Sequence, residues 1–245
     1  MRAPAIWQEV EFGSYGADLP VWVELAEAAD GPVVELGAGA GRVSVHLAGH
    51  GYEVVAIERD LELIRELEEL AEERNVEVSV VAGDLGSPAE LELPVRPALA
   101  IGPLHVIQVL EAPGRPALLR RLRELLAPGG TLALTVVDES TMLSSGAAST
   151  QILPDMRELE GWVFSSEPLW VQVGDRALTV RRLRESVDPD GRMERDIHDE
   201  ILHRVNAATL EREAEKAGFR PAGRRQISSS ESEADSTVVI LEVPE

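Results

Sequence analysis

The sequence predicts an α/β fold with a doubly wound parallel sheet and a small antiparallel β insertion in its carboxyl-terminal half. Strand-like and helix-like segments alternate between residues 33 and 137, which is typical of a parallel sheet covered by helices on both faces. A loop with glycine at every second position follows the first apolar strand. Between residues 162 and 205, consecutive strand-like segments separated by turn residues replace the alternation.

Composition limits the class of protein. The chain has 245 residues, of which 44% are hydrophobic, enough for one sizeable domain. Its 23 basic and 44 acidic residues give a net charge of −21, which repels nucleic acids and anionic bilayers. It lacks cysteine, a signal-like amino terminus and any apolar run of membrane-spanning length. We therefore expect a cytoplasmic protein without nucleic-acid or membrane partners.

The sequence of the amino-terminal half predicts a series of helices and strands. A helix is expected over residues 17–29 and ends at Gly31-Pro32, whereas residues 6–20 contain glycines that disfavour a long helix. Asp60 is placed to cap a helix over residues 61–73, whose apolar residues Leu61, Ile64, Leu67 and Ala71 share one face. The other predicted elements are strands over 53–57, 76–82, 98–101 and 131–137 and helices over 42–48 and 117–126.

The carboxyl-terminal half begins with a polar linker over residues 138–151. Strands are predicted over 162–173, 177–187 and, with a looser alternation, 192–205. A helix capped by Asn206 and closed by Gly218 precedes two strands, over 219–228 and 236–243, which are expected to form an antiparallel hairpin at the sheet edge. The predicted organisation is a core of residues 1–140 and 206–245 and an insertion of residues 141–205; residues 228–235 are expected to be a solvated loop.

The glycine loop indicates a nucleotide-type ligand. Glycine lacks a Cβ, so a ligand can lie against the main-chain N–H groups of such a loop. A dinucleotide fingerprint, G-x-G-x-x-G, would require glycine where this chain has Arg42. The glycines instead fall at 37, 39 and 41, with Glu35 two residues before the first.

The E-x-G-x-G-x-G pattern resembles motif I of the class I methyltransferases that use S-adenosylmethionine (SAM). Glu58 ends the second strand about 20 residues after the first glycine, where an acid accepts hydrogen bonds from ribose hydroxyls. Residues 83–85, Gly-Asp-Leu, resemble the adenine-binding step of the family, and residues 98–110 and 127–138 resemble motif IV and the fifth strand with its turn. The resemblance covers roughly residues 10–140 and implies a seven-stranded, Rossmann-like methyltransferase sheet.

The resemblance also implies SAM as the cofactor. A buried acid is costly unless it is paired, and in the family the acid at the position of Glu35 binds the SAM amino group directly or through water. Tyr15 either contacts the carboxylate end of SAM or packs against the helix that it precedes. The implied cofactor-binding residues are Tyr15, Glu35, Gly37, Ala38, Gly39, Gly41, Arg42, Glu58, Arg59, Gly83, Asp84, Leu85, Ile101 and Gly102.

The implied reaction is methyl transfer to nitrogen or oxygen of a small-molecule acceptor. Such an enzyme must align the nucleophile with the methyl–sulfur bond and exclude water, and a hydroxyl or a protonated amine also needs a general base. His105 follows the fourth strand, in the loop that faces the methyl group in related enzymes, and is either this base or a packing or SAM-contacting residue. His198 and His203 are interpreted as part of a solvated stretch, and no metal is expected because no acid cluster has metal-ligand spacing.

The aromatic residues suggest where the acceptor binds. Seven of the nine lie before the first strand or in the insertion. They would line a pocket for an amine or a flat apolar substrate if both segments cover the carboxyl ends of the strands; alternatively, they form the core of the insertion. With His105, the pocket candidates are Trp7, Trp22, Trp162, Phe164 and Trp170.

Two other functions remain open. One is an NAD-linked oxidoreductase, against which Arg42 counts; the other is a SAM-binding regulatory protein without turnover. Motif IV reads Ile101-Gly102-Pro103-Leu104 and lacks the Pro-Pro-Tyr pattern of enzymes that methylate nucleic-acid amines. The sequence leaves the acceptor and the oligomeric state open.

Overall fold

The computed structural model describes residues 3–137, 154–228 and 235–245. Within these residues, strands form a seven-stranded sheet and a separate four-stranded sheet. The helices are α1 (Ala3–Phe12), α2 (Leu19–Ala28), α3 (Arg42–Gly49), α4 (Leu61–Glu73), α5 (Arg115–Leu125) and α6 (Ala207–Lys216). The strands are β1 (Val33–Leu36), β2 (Val54–Glu58), β3 (Ser79–Ala82), β4 (Leu99–Gly102), β5 (Thr131–Val137), β6 (Asp155–Leu159), β7 (Trp162–Val173), β8 (Ala177–Val187), β9 (Met193–His203), β10 (Arg220–Ile227) and β11 (Ser236–Glu242).

The seven-stranded sheet has the order β10-β11-β5-β4-β1-β2-β3. Strands β1 to β5 pair in parallel, whereas β11 runs antiparallel to both β5 and β10. Strands β1, β2 and β4 are buried along their whole length because helices cover both faces. The predicted doubly wound α/β fold and the closing antiparallel hairpin are confirmed.

Local capping signals explain the bounds of two helices. Asp60 Oδ1 accepts a hydrogen bond from Glu62 N at 2.8 Å and begins α4 where predicted. Asn206 Oδ1 accepts one from Thr209 N at 2.8 Å and begins α6. The predicted apolar face of α4 is wrong at one position: Leu61 is 60% exposed and Leu63 is buried in its place, because the helix turns the 63, 64, 67 and 71 positions toward the sheet.

Two elements differ from the sequence prediction. Residues 3–12 form the helix α1, because the glycines at 13 and 16 follow the helical residues and do not interrupt them. The short strand β6 was missed, since its five residues carry three charges and alternate weakly. The predicted linker at 138–151 lies outside the described residues, as do positions 229–234 of the predicted solvated loop.

The four-stranded antiparallel sheet, in the order β6-β7-β8-β9, packs against α1. Trp7 contacts Phe164 edge to face, with ring centroids 5.8 Å apart. Glu11, which is buried, accepts hydrogen bonds from Ser166 Oγ at 2.7 Å and from Arg184 Nε and Nη2 at 2.8 and 2.9 Å. Helix α1 is therefore one junction of the second sheet with the rest of the chain; another is the buried apolar contact of Val137 in β5 with Leu178 and Leu202.

The end of α2 nearest the glycine loop depends on Asp18. Its carboxylate is 2% exposed and accepts hydrogen bonds from Arg42 Nη1 and Nη2, at 2.7 and 2.8 Å, and from Trp22 Nε1 at 2.9 Å. Such a paired, bidentate contact satisfies the buried charge on both sides. The contact links α2 to the first turn of α3.

The substitution Asp18→Ala is expected to lower the free energy of unfolding by about 3–5 kcal/mol, because it leaves the Arg42 guanidinium without its counter-ion. Urea denaturation followed by circular dichroism measures this. The matched control Asp30→Ala removes an exposed acid and should change stability by less than about 0.5 kcal/mol. Equal stability of the two variants would contradict the role of the Asp18–Arg42 pair.

Candidate functional site

The loop between β1 and α3 folds in a way that only glycine permits. Gly37, Gly39 and Gly41 have φ angles of +66°, +58° and +93°. A Cβ on Gly37 would lie 2.6 Å from Val106 Cγ2, and one on Gly39 would overlap the end of the Gln8 side chain. The loop is thus packed closely between α1 and the segment that follows β4.

A cavity of about 850 Å³ lies at this loop, beyond the carboxyl end of β1. Its walls come from the glycine loop, α1, α3, α4, residues 103–109 and one residue of the second sheet, Glu200. The volume falls in the range of small-molecule and cofactor sites. Its position agrees with the general rule that ligands of open α/β sheets bind outside the carboxyl ends of the strands.

Glu35 is a buried acid in the cavity wall. It is 3% exposed, and Ser44 Oγ donates a hydrogen bond to Glu35 Oε2. Burial raises the pKa of Glu35 to about 7, although Ser44 and the charge of Arg42 oppose the shift. The carboxyl group is therefore poised between its neutral and charged forms near neutral pH.

Glu58 is held at the end of β2 by three backbone donors. Its Oε2 accepts a hydrogen bond from Gly39 N at 2.9 Å, and its Oε1 accepts from Arg59 N and Asp60 N at 2.8 and 3.0 Å. The acid thus contacts the glycine loop directly. Asp84 is more exposed; its Oδ1 accepts from Gly86 N at 2.8 Å and lies 3.8 Å from Arg59 Nη1.

The cavity wall contains part of the predicted cofactor set, namely Glu35, Gly37, Ala38, Gly39 and Arg42. The side chain of Arg42 is already bound to Asp18 and lies 5.2 Å from the Tyr15 ring centroid, so Tyr15 packs beside the site rather than in its wall. The remaining predicted positions lie outside the wall, on the β2, β3 and β4 side of the loop: Gly41, Glu58, Arg59, Gly83, Asp84, Leu85, Ile101 and Gly102.

The aromatic candidates do not line this cavity. Trp22 belongs to α2, is fully buried and is a core residue. Trp7, Trp162 and Phe164 form a cluster between α1 and the second sheet, and Trp170 lies against Arg181, 4.7 Å from its guanidinium carbon. These contacts correspond to the alternative to an aromatic pocket, in which the rings pack within the second sheet and against α1. Phe12, another aromatic residue of the amino-terminal segment, lies in the cavity wall.

His105 lies in a strained turn beside the cavity. Leu104 and His105 have φ angles of +45° and +61°, which are uncommon outside glycine. His105 Nδ1 is buried and makes no hydrogen bond with any described residue. Burial lowers the pKa of His105 to about 4, so the ring is neutral at pH 7. The cavity wall includes its neighbours Leu104 and Val106.

Two residues of the cavity wall were not predicted from the sequence. Gln8 Oε1 accepts a hydrogen bond from Ala40 N at 2.9 Å and so caps the glycine loop from α1. Glu200 reaches the cavity from β9. No local signal marks either residue, since both are polar residues in elements that approach the loop only in the folded chain.

The described part of the chain contains no group of three or more histidine, aspartate or glutamate side chains arranged to hold a metal ion. None of its helices combines the length and the apolar character needed to cross a membrane.

Comparison with known proteins places the fold. Residues 33–130 match the family model described as a methyltransferase domain. No curated protein matches the sequence significantly. Among solved structures, a SAM-dependent methyltransferase from Clostridium acetobutylicum ATCC 824 has a TM-score of 0.74 at 9% identity, with 98% of this chain and 97% of that chain covered.

Two further structures are described as methyltransferases of sugars. CalS10, an amino pentose methyltransferase from Micromonospora echinaspora, has a TM-score of 0.71 at 15% identity, and the match covers 99% of this chain and 97% of CalS10. The sugar N-methyltransferase KedS8 from Streptoalloteichus sp. ATCC 53650 has a TM-score of 0.69 at 14% identity, with 96% and 90% covered. Residues 33–130 thus match a methyltransferase domain, and the chain shares the fold of these methyltransferases.

Proposed function

We propose that this enzyme transfers a methyl group from SAM to nitrogen or oxygen of a small-molecule acceptor held in the 850 Å³ cavity. The observation that carries the proposal is the cavity itself, whose wall joins the glycine loop and Glu35 to a residue of the second sheet. The second sheet, within residues 141–205, would then act as the substrate cap. CalS10 and KedS8 are described as acting on an amino pentose and on a sugar nitrogen, which supports an acceptor of this size.

The residues of the first sheet are suited to the methionine and ribose parts of SAM. Glu35 offers a buried carboxyl group for a cationic amino group, and such a pair offsets the cost of burying either charge alone. Glu58 lies at the end of the neighbouring strand, where its carboxylate accepts hydrogen bonds from the backbone N–H groups of Gly39, Arg59 and Asp60. Because a carboxylate offers about four lone-pair sites, Glu58 can also accept a hydrogen bond from a ribose hydroxyl. SAM itself supplies a methyl group already activated by its sulfonium.

The substitution Glu58→Gln is expected to weaken SAM binding by about 10- to 100-fold, because a hydrogen bond to a charged group contributes about 1.5–3 kcal/mol. Calorimetric titration measures the affinity, with Glu53→Gln as control. Glu53 is exposed and precedes β2 at the opposite end of the strand, so its variant should bind as the parent does.

The same titration with NAD should give no binding. Binding of NAD without binding of SAM would overturn the proposed function and restore the oxidoreductase alternative. If Glu58→Gln and Glu53→Gln both bind SAM with the affinity of the parent, the placement of the ribose at Glu58 is contradicted.

Glu35 is expected to make SAM affinity depend on pH. Its pKa of about 7 means that the carboxyl group is mostly neutral at pH 5.5 and half ionised at pH 7, while an α-amino group stays protonated below about 7.7. The affinity should therefore rise about tenfold between pH 5.5 and pH 7. Glu35→Gln should abolish this rise; a variant that keeps the full pH dependence would rule out Glu35 as its source.

We assign His105 a neutral role beside the acceptor, either accepting a hydrogen bond or contacting SAM, since its ring lies next to the cavity and its Nδ1 has no partner among the described residues. The ring should titrate near pH 4 and stay neutral from pH 5.5 to 8. NMR of the imidazole protons measures this, with His105→Asn identifying the resonance. Titration of that resonance at pH 6–7 would contradict the burial of the ring.

A further inference from the structure

The inner face of the second sheet, against which α1 packs, carries a cluster of charges. Strand pairing places Ser166 opposite Arg184, His198 opposite Arg182, and Glu200 opposite Val180. Paired residues project from the same face of a sheet, so these side chains share a surface. Helix α1 adds Glu11 to this surface and β6 adds Asp155.

Both arginines of this cluster already have anionic partners. Arg184 donates to both oxygens of Glu11. Arg182 Nη2 donates to Asp155 Oδ2 at 2.6 Å, and its Nε donates to Ser166 Oγ at 2.8 Å. Two cations are thus balanced by Glu11 and Asp155. Of the acids of β9 on this face, Glu194 and Asp196 are exposed, and one carboxylate is partly buried.

That carboxylate is Glu200. It is partly buried, it lines the cavity, and it forms no hydrogen bond or ion pair with any residue that the structure describes. Burial and the charge of Glu11 raise the pKa of Glu200, whereas Arg182 and Arg184 act in the opposite direction. An unpaired carboxylate at this depth is stabilised by a cation from outside the chain.

The rest of the cavity wall is negatively charged as well. Its only two arginines among the described residues are Arg42 and Arg74, and Arg42 is bound to Asp18. The wall therefore attracts a cation and disfavours an anionic acceptor. The acids in the wall are Glu9, Glu35, Glu66, Glu69, Glu73 and Glu200.

We propose that Glu200 binds the amino group of the acceptor, so that the enzyme is an N-methyltransferase of small amines. The proposal rests on the function proposed above and names its acceptor class. The ammonium group of the acceptor first pairs with the Glu200 carboxylate, and one proton then passes from nitrogen to the carboxylate oxygen. The freed nitrogen lone pair forms the N–C bond while the methyl–sulfur bond breaks, and that electron pair stays on sulfur to leave S-adenosylhomocysteine (SAH).

Burial helps this proton transfer. A carboxylate held in water is a weak base for an ammonium group, since their pKa values lie far apart. Desolvation brings the two values closer, because it disfavours both charged forms relative to the neutral acid and amine. Glu200 is therefore both the group that selects an amine and the group that receives its proton.

Matched amine and alcohol probes test the assignment. The protein saturated with SAH is titrated with D-glucosamine and D-glucose, and with cyclohexylamine and cyclohexanol, by calorimetry at pH 7.5. We expect at least one amine to bind tenfold or more tightly than its alcohol. Glu200→Gln should remove this preference, Glu200→Asp should retain part of it, and Glu194→Gln, which changes an exposed acid on the same strand, should leave it intact.

Three results would overturn the assignment: equal binding of amine and alcohol, no binding of any amine, or an amine preference that survives Glu200→Gln. SAM affinity is measured separately in the parent and in Glu200→Gln. Normal SAM binding without an amine preference would reject the role of Glu200 and leave the proposed function standing, whereas absence of SAM binding in the parent would reject the proposed function itself.

Discussion

The ion pairs of Glu11 with Arg184 and Arg182 of β8 position α1, which forms part of the cavity wall. They join α1 to the second sheet, and from the same helix Gln8 reaches the amide of Ala40 in the glycine loop. One helix thus contacts both the second sheet and the glycine loop, and its residues form part of the cavity wall. Without the Glu11 contacts, the partly buried Arg184 would lose its counter-ion, Arg182 would keep Asp155 alone, and the second sheet would lose a polar attachment to α1.

The negative charge of the cavity wall suits positively charged ligands. The chain is strongly acidic as a whole, and the cavity wall concentrates carboxylates, of which Glu35 and Glu200 have pKa values raised by burial. A sulfonium donor and an ammonium acceptor would both be attracted to such a wall. Because ionising a buried carboxyl group is costly, each incoming cation stabilises the charged form that binds it.

Most of the fold follows from local patterns. Strands β5, β7 and β8 and helix α4 have the predicted bounds, since apolar alternation, turn residues and the Asp60 cap mark them within a few residues. Helix α1 and strand β6 do not follow from such patterns. Helix α1 is stabilised by contacts with residues far along the chain, and β6 is a short charged segment that pairs only because β7 is available.

The sequence by itself determined the glycine loop, the buried acid before it and the acid at the end of the second strand, because these features are spaced within single strand–loop–helix units. The tertiary structure alone decided which side chains complete the site. Gln8 and Glu200 are ordinary polar residues until folding brings α1 and β9 to the loop, and Trp7, Trp162 and Phe164 pack between α1 and the second sheet. The physical reason is that burial and charge balance at the cavity arise from contacts between distant segments, which no local spacing encodes.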